Sequence, residues 1–268
     1  MNENNFQYLC DQLKYTGFGE ALEIELKEKL KQQQASFELY HENYYDDDRV
    51  ARATLNFSKA KDADMYFFNS YRVELQKENI SDALEHTFYI HKGSNITMKE
   101  AYNLMMGRAV NKDLVNKEGQ SYNAWLQMDF KNCDENGNFK LQHYHQNYGF
   151  DLTETLAKYP IRELEKESFK EDLIRSLKKG NLQVVTFLKD GELVKAYIEA
   201  SPQFKTIGIY DDNMKKRDNR HYKDITQLEV SYEHVGENKK KSQIPDSPLA
   251  DSEPQKKQNR QNRGTSIH

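Results

Sequence analysis

The chain has 268 residues, of which 37% are apolar and 31% charged, so its hydrophobic core is small for its length. Acidic residues outnumber basic ones by 43 to 39, which excludes the overall positive field of a domain that binds duplex nucleic acid with its whole surface. Two distant cysteines exclude a disulfide framework and a cysteine-based zinc site. Because the chain also lacks an apolar run of membrane-spanning length and a signal sequence, we expect a cytoplasmic protein with no membrane contact.

Residues 1–95 are predicted to form a helix followed by an antiparallel meander. Leu22, Leu26 and Leu30 recur at helical spacing, which indicates an amphipathic helix. Runs rich in β-branched and aromatic residues follow and predict four strands. They lie at 36–40, 50–57, 65–75 and 86–90.

Residues 96–234 are predicted to contain a helix, a central hairpin and a second helix with its own meander. Thr97 and Glu100 have the spacing of a capping box, and Gly107 is expected to end that helix. More apolar and more polar side chains alternate strictly over residues 121–130, which predicts a strand. Asn136-Gly137 predicts a two-residue turn before a return strand at 139–148.

The rest of this region repeats the order of helix and strands seen near the N-terminus. Asp151 opens a short helix, and a longer helix at 167–179 ends at Gly180 before three strands at 184–188, 193–198 and 204–210. The repeat indicates either a duplicated helix-plus-three-strand module or a common arrangement that arose twice. The predicted fold class is α+β, with antiparallel meanders and a central hairpin packed with short helices.

The C-terminal segment, residues 235–268, is predicted to be a disordered basic tail. It contains seven basic and four acidic residues and almost no large apolar side chains. Its last part carries basic residues without acidic ones, which suits weak contact with phosphates. These bases are Lys256, Lys257, Arg260 and Arg263. The alternative is a solubilising tail with no partner.

Known catalytic motifs are missing from the sequence. It contains no phosphate-binding loop, nucleophile elbow or helical zinc motif, so we predict no enzymatic activity, no catalytic residue, no cofactor and no metal site. His143 and His145 lie on one face of a strand, where two imidazoles could bind zinc or copper, but no third ligand can be nominated. Partly buried, hydrogen-bonded histidines are the favoured interpretation.

The central hairpin offers a candidate surface for nucleic acid. The predicted register places Trp125 opposite Tyr148 and Asp129 opposite Tyr144, which gives a face that could stack on unpaired bases. Basic residues nearby in the sequence could neutralise a phosphate chain. They are Arg108, Lys112, Lys117 and Lys140. The alternative is that a helix covers this face and that Trp125 belongs to the core.

Several segments resemble an uncharacterised domain family of conjugative elements of gut anaerobes. The matching segments are 97–114, 116–125, 147–149, 177–181 and 201–206, within a resemblance that extends over about residues 6–214. In that family the domain occurs alone or appended in copies to type IA topoisomerase-like proteins, and it has no established catalytic residue. This chain is too short to hold a topoisomerase core as well, so it resembles the stand-alone form.

The resemblance implies a non-enzymatic accessory protein of a mobile genetic element that assists DNA processing or transfer. Its partner would then be single-stranded DNA or a topoisomerase-like or conjugation protein. The alternative is a protein-interaction adaptor with no nucleic-acid contact, which the acidic composition of residues 1–234 favours. A small hydrolase with an unrecognised site is the third hypothesis.

Overall fold

The computed structural model describes residues 2–46, 49–77, 83–91, 93, 95–189 and 191–223. Within these ranges five α-helices and ten strands form one compact unit with three antiparallel sheets, which confirms the predicted α+β class. The helices are α1 (Glu3–Tyr15), α2 (Glu23–Lys31), α3 (Met98–Met105), α4 (Leu152–Leu156) and α5 (Glu167–Lys178). The predicted tail, with Lys256, Lys257, Arg260 and Arg263, lies outside the described residues.

The ten strands are grouped into three sheets of consecutive strands. The strands are β1 (Ser36–Asp46), β2 (Arg49–Lys59), β3 (Tyr66–Lys77), β4 (Leu84–Tyr89), β5 (Val110–Val115), β6 (Ser121–Cys133), β7 (Phe139–His145), β8 (Gln183–Lys189), β9 (Glu192–Ser201) and β10 (Thr206–Tyr210). The first sheet has the order β1-β2-β3-β4, the second β5-β6-β7 and the third β10-β9-β8. No helix in the described ranges is long and apolar enough to cross a membrane.

The first sheet is the predicted meander, and helices cover one of its faces. Ala51, Ala53, Leu55 and Phe57 of β2 are buried, because every second side chain of a strand points to the same side. Helices α1, α2 and α3 pack on that side and complete the first hydrophobic core. Since α3 belongs to this core, the core includes residues from both of the regions, 1–95 and 96–234, into which the sequence was divided.

Helix α1 was not predicted from the sequence, yet it closes one end of the first core. Leu9 and Leu13 are fully buried. The side chain of Asn5 forms two hydrogen bonds with the backbone of Tyr66, in the way that a paired strand would. Its Oδ1 accepts from Tyr66 N at 2.7 Å, and its Nδ2 donates to Tyr66 O at 2.9 Å. Both the oxygen and the nitrogen of the buried amide thereby have a hydrogen-bond partner at the start of β3.

The capping box predicted for α3 is confirmed. Thr97 Oγ1 accepts from Glu100 N, and the Glu100 carboxylate accepts from Thr97 N at 2.9 Å. The helix ends as predicted, since Gly107 follows it with a φ of +80°.

The second sheet lies between two cores, because both faces of β6 are buried. Leu126 and Met128 point into the first core, whereas Trp125 points into a second core. β5, which was not predicted, pairs with β6 on the side opposite β7. Alternate side chains of β6 therefore point into two different cores, whereas in many strands they separate a buried face from a solvent-exposed one.

The register predicted for the central hairpin is wrong by four residues. Trp125 lies opposite Tyr144, and Asp129 lies opposite Lys140. The connection is a five-residue loop, 134–138, in place of a two-residue turn, and the pairing is irregular between Asp129 and Cys133. Because the total shift is even, Trp125 and Tyr144 still share one face, as predicted.

The second core lies between the third sheet and helices α4 and α5. Leu173 and Leu177 of α5 pack with Val185 and Phe187 of β8. A helix followed by a meander thus occurs a second time, as predicted, although the first meander has a fourth strand.

The residues that follow α5 contact α3 and the segment that follows α3. Asn103 is fully buried, and its Nδ2 donates to Lys179 O at 2.7 Å and to Asn181 Oδ1 at 2.9 Å. Gly180 follows α5 with a φ of +77°, and a Cβ at this position would lie 2.9 Å from Ala109 O. Two of the segments on which the family resemblance is based, 97–114 and 177–181, are therefore in contact in the structure.

Replacing Gly180 with alanine is expected to destabilise the protein more than replacing Gly119, which has a φ of +80° but nothing within 4 Å of its Cβ position. The left-handed backbone should cost about 1 kcal/mol at either glycine. Crowding should add roughly 1–3 kcal/mol at Gly180 alone. Denaturant unfolding of both variants checks this, and equal losses would contradict a steric role for Gly180.

Candidate interaction site

The structure contradicts the predicted stacking role of Trp125. Its side chain is 6% exposed and belongs to the second core. Phe150 covers the indole edge to face at a centroid distance of 5.4 Å, just before α4. An indole without a free face cannot stack on an unpaired base. The alternative interpretation, in which Trp125 is core, is the one that the fold supports.

Two of the predicted phosphate contacts are bound within the protein. Lys112 Nζ lies 3.0 Å from Glu100 Oε2, and both side chains are almost completely buried. Arg108 Nη2 donates to Asn103 Oδ1 at 2.8 Å, and its guanidinium lies 5.4 Å from the centre of the Tyr102 ring. Glu100 neutralises the charge that Lys112 would offer to a phosphate, and Asn103 and Tyr102 hold the Arg108 guanidinium against α3. Arg108 and Lys112 are therefore removed from the candidate site.

The remaining predicted contacts are exposed or half-buried but do not form one surface around Trp125. Lys117 lies in the turn between β5 and β6, and Lys140 lies opposite Asp129 on β7. Tyr144 is half-buried against Tyr148, with ring centres 4.9 Å apart. The amino group of Lys205 lies 4.7 Å from the exposed ring of Tyr148, a contact between residues 57 positions apart that no local motif indicates.

The hairpin histidines share one face, as predicted. The ring centres of His143 and His145 are 6.0 Å apart. Within the described ranges, His, Cys, Asp and Glu side chains form no group of three or more that could hold a metal ion. Burial lowers the pKa of His143, with a smaller contribution from His145.

A groove of about 500 Å³ separates β4 from β7. Apolar side chains of both strands line it together with His86, His143 and Lys140. Asn138 Oδ1 accepts from Thr87 N at 2.8 Å, so this side chain occupies the edge of β4 beside the groove. The contact closes the middle of that edge to a further strand.

His86 is buried in this groove as a neutral side chain. Its ring centre lies 4.5 Å from that of Phe88, and its Nδ1 is buried without a hydrogen-bond partner among the described residues. Burial lowers the pKa of His86 to about 4, and the charge of Asp134 opposes this only in part. The folded protein therefore binds fewer protons than the unfolded chain as the pH falls from about 6.5 to about 4.

Acidification is expected to destabilise the protein through His86. The contribution is fully present above about pH 6.5 and is lost as the pH falls toward 4, which amounts to about 3 kcal/mol. Urea unfolding across this range should show a weaker dependence on pH for His86→Phe than for the exposed control His91→Gln. The same dependence in both variants would contradict the assignment.

Other parts of the chain cover both edges of the third sheet. The loop before α5 runs along β8, where Leu188 N donates to Pro160 O at 2.9 Å. The segment after β10 returns along that strand, and Arg217 N donates to Ile209 O at 2.8 Å. Covered edges cannot pair with another chain, and proteins commonly protect their sheets in this way.

The outer edge of β1, in contrast, pairs with no other described segment along its eleven residues. Lys59 N donates to Ala35 O at 2.9 Å, and the alternation of an antiparallel ladder then directs the odd-numbered residues of β1 toward β2. The N–H and C=O groups of Glu38, Tyr40 and Glu42 therefore point away from the sheet. No other element in the described part of the chain pairs with them.

The side chains of these outward-directed residues lie on the exposed face of the first sheet. Tyr40 and Tyr44 are 64% and 67% exposed, and their hydroxyls donate to Glu38 and Glu42. The charged residues of this face in the described strands are Glu38, Glu42, Glu74, Glu85, Arg52 and Arg72. The face is therefore acidic overall, which disfavours a phosphate chain despite the exposed tyrosines.

Comparison with known proteins identified no relative of this chain. No family model, curated protein or solved structure matches this chain. The candidate site therefore rests on the geometry of the described residues, and its strongest feature is the open edge of β1.

Proposed function

We propose that this chain is a cytoplasmic, non-enzymatic protein-interaction adaptor whose folded part binds a partner protein by strand addition at β1. The open edge of β1 is the observation that carries the proposal, because β1 is the longest edge strand of the three described sheets. It has eleven residues, against six and seven in the edge strands β5 and β7, and both edges of the third sheet and the middle of β4 are covered. Strand addition obtains affinity from main-chain hydrogen bonds and specificity from alternate side chains. We further propose that the chain is an accessory protein of a mobile genetic element and that its partner is a topoisomerase-like or conjugation protein.

The position of the hairpin residues speaks against nucleic-acid binding by the folded part. Trp125 is core, and Glu100 compensates the charge of Lys112. Asn103 and the ring of Tyr102 hold the Arg108 guanidinium against α3. DNA contact as the primary function would therefore depend on the scattered exposed residues Lys117, Lys140 and Tyr148 or on the basic residues near the C-terminus. The latter are Lys256, Lys257, Arg260 and Arg263.

A photo-crosslinking experiment tests the proposed function. A benzophenone amino acid replaces Tyr40 on β1 or, as a control, the exposed Tyr15 on α1, and the full chain is irradiated in an extract of its native host. We expect one defined protein adduct from position 40 and none from position 15. Adding Glu42→Pro should abolish the adduct, because proline removes an outward N–H that the fold does not use.

The variant Glu42→Gln is the matched control, since it removes the same charge but keeps the N–H. Its adduct should persist, and thermal unfolding should show that both variants fold. Equal adducts from positions 15 and 40, or an adduct that survives Glu42→Pro, would contradict binding at β1.

Electrophoretic shift with single- and double-stranded DNA tests the competing hypothesis. The full chain is compared with a variant in which all seven basic residues of 235–268 are replaced by alanine. DNA binding that survives in this variant would show that the folded part contacts nucleic acid, and the adaptor proposal would fail in that respect.

A further inference from the structure

We infer that the partner of β1 is an extended basic segment with Lys or Arg at two positions four residues apart, on either side of a residue that packs on Tyr40. This inference rests on the proposed function, since it specifies the occupant of the same edge. Three features of β1 carry it: the direction of its free backbone groups, the charge of its exposed side chains and the repulsion expected when β1 pairs with a second copy of itself.

The direction of the backbone groups fixes which partner residues face β1. Glu38, Tyr40 and Glu42 present their free N–H and C=O groups to an added strand. An antiparallel strand would place one residue directly opposite each of them, with side chains on the same exposed face of the sheet. The residues opposite Glu38 and Glu42 are then four apart in the partner, and the residue between them lies opposite Tyr40.

The charge of this row favours a basic partner. Glu38 and Glu42 are both exposed. Arg52 Nε of β2 lies 2.9 Å from Glu42 Oε2, on the side away from the open edge, whereas no described basic residue forms an ion pair with Glu38, so this end of the row keeps a net negative charge. The Tyr44 hydroxyl and then the Arg52 guanidinium lower the pKa of Glu42, so this carboxylate stays ionised. Opposite charges that face each other across two strands are favourable, and like charges are unfavourable. Tyr40 supplies an aromatic surface between the two carboxylates, and its ring is 64% exposed.

The same charges disfavour a second copy of this chain as the occupant. When two β1 strands pair antiparallel over their full outer row, Tyr40 faces its counterpart and Glu38 faces the Glu42 of the second copy. Two-fold symmetry repeats this contact, so two like-charge pairs arise in one short interface. A heterologous basic strand has no such repulsion.

Labelled model peptides test the inference on the full chain. The probes are short peptides of alternating valine and threonine that carry Lys, Gln or Glu at two positions four residues apart, flanking a valine on the same face. Fluorescence anisotropy at low salt should give an affinity about tenfold higher for the Lys probe than for the Gln probe, with the Glu probe weakest. The difference should shrink as salt screens these exposed charges.

A charge reversal provides the matched comparison. The double variant Glu38→Lys/Glu42→Lys should prefer the Glu probe over the Lys probe. Glu74→Lys/Glu85→Lys changes the net charge of the same face equally but lies on β3 and β4, away from the open edge. This second variant should keep the preference for the Lys probe, since the affected residues do not face the added strand.

The outcomes separate this inference from the proposed function. If all three probes bind equally and Glu42→Pro abolishes their binding, the basic partner is wrong and strand addition at β1 stands. Binding that survives Glu42→Pro, or no binding of any probe, also overturns the inference, and the photo-crosslink at position 40 then decides the proposed function. A concentration-dependent dimer in light scattering that is lost in Glu42→Pro would identify a second copy as the occupant.

Discussion

Replacing Trp125 with alanine is expected to lower the free energy of unfolding by about 3–5 kcal/mol, the usual cost of removing a large buried aromatic side chain. Trp125 is 6% exposed, and the rings and aliphatic side chains of the second core surround it. Because β6 lies between the two cores, little rearrangement can fill the space that the indole leaves. Denaturant unfolding followed by far-ultraviolet circular dichroism measures the loss.

The fluorescence of the wild-type chain provides an independent test, since Trp125 is the single tryptophan of the sequence. Its emission should be blue-shifted and insensitive to acrylamide and to single-stranded oligonucleotides. The exposed Tyr148 serves as the control, and Tyr148→Ala should have a much smaller effect on stability. Red-shifted emission that oligonucleotides quench, together with an unchanged stability of Trp125→Ala, would restore the stacking hypothesis.

Local signals in the sequence predict much of the fold. The capping box of Thr97 and Glu100, the glycine at 107 and the apolar spacing of α2 each act within a few residues, and the structure confirms them. α1 escaped prediction because its burial depends on a distant partner. Asn5 is buried because its amide pairs with the backbone of Tyr66, which is 61 residues away in the sequence.

The register of the central hairpin could not be predicted from its turn residues alone. Asn136 and Gly137 favour a two-residue turn, but Asp134 Oδ1 accepts from Asn136 N and Asn138 N and holds a longer loop. The irregular pairing after Asp129 adds to the displacement. Both effects depend on side-chain hydrogen bonds and bulges, which the alternation of apolar residues does not encode.

The candidate site could be predicted even less, because it depends on which surfaces remain uncovered. The exposed aromatic and acidic residues of β1 are visible in the sequence, but only the sheet order shows that β1 is an edge strand, and only the covering segments show that both edges of the third sheet are closed. In the same way, the clustering of Arg108, Lys112 and Trp125 in the sequence gave no indication that β6 lies between two cores. Whether a lysine contacts a phosphate or a buried carboxylate is decided by tertiary structure.

Lys112 gives the clearest example, and its replacement by methionine is expected to destabilise the protein by about 3 kcal/mol or more, because it leaves a buried carboxylate without its counter-charge. Lys112 Nζ lies 3.0 Å from Glu100 Oε2, and the two side chains are 13% and 8% exposed. Removing one partner of such a pair costs more than replacing both, since the remaining charge stays desolvated. Urea unfolding of Lys112→Met measures the cost.

A double-mutant cycle distinguishes this ion pair from loss of packing alone. The double variant Glu100→Gln/Lys112→Met should be more stable than Lys112→Met, because a neutral amide can keep the bond to Thr97 N without a buried charge. The exposed pair of Lys14 and Glu20 is the control, and Lys14→Met should change stability little. If Lys112→Met has as small an effect as Lys14→Met, Lys112 is not held by Glu100 in solution. It would then be available as the phosphate contact that the sequence first indicated.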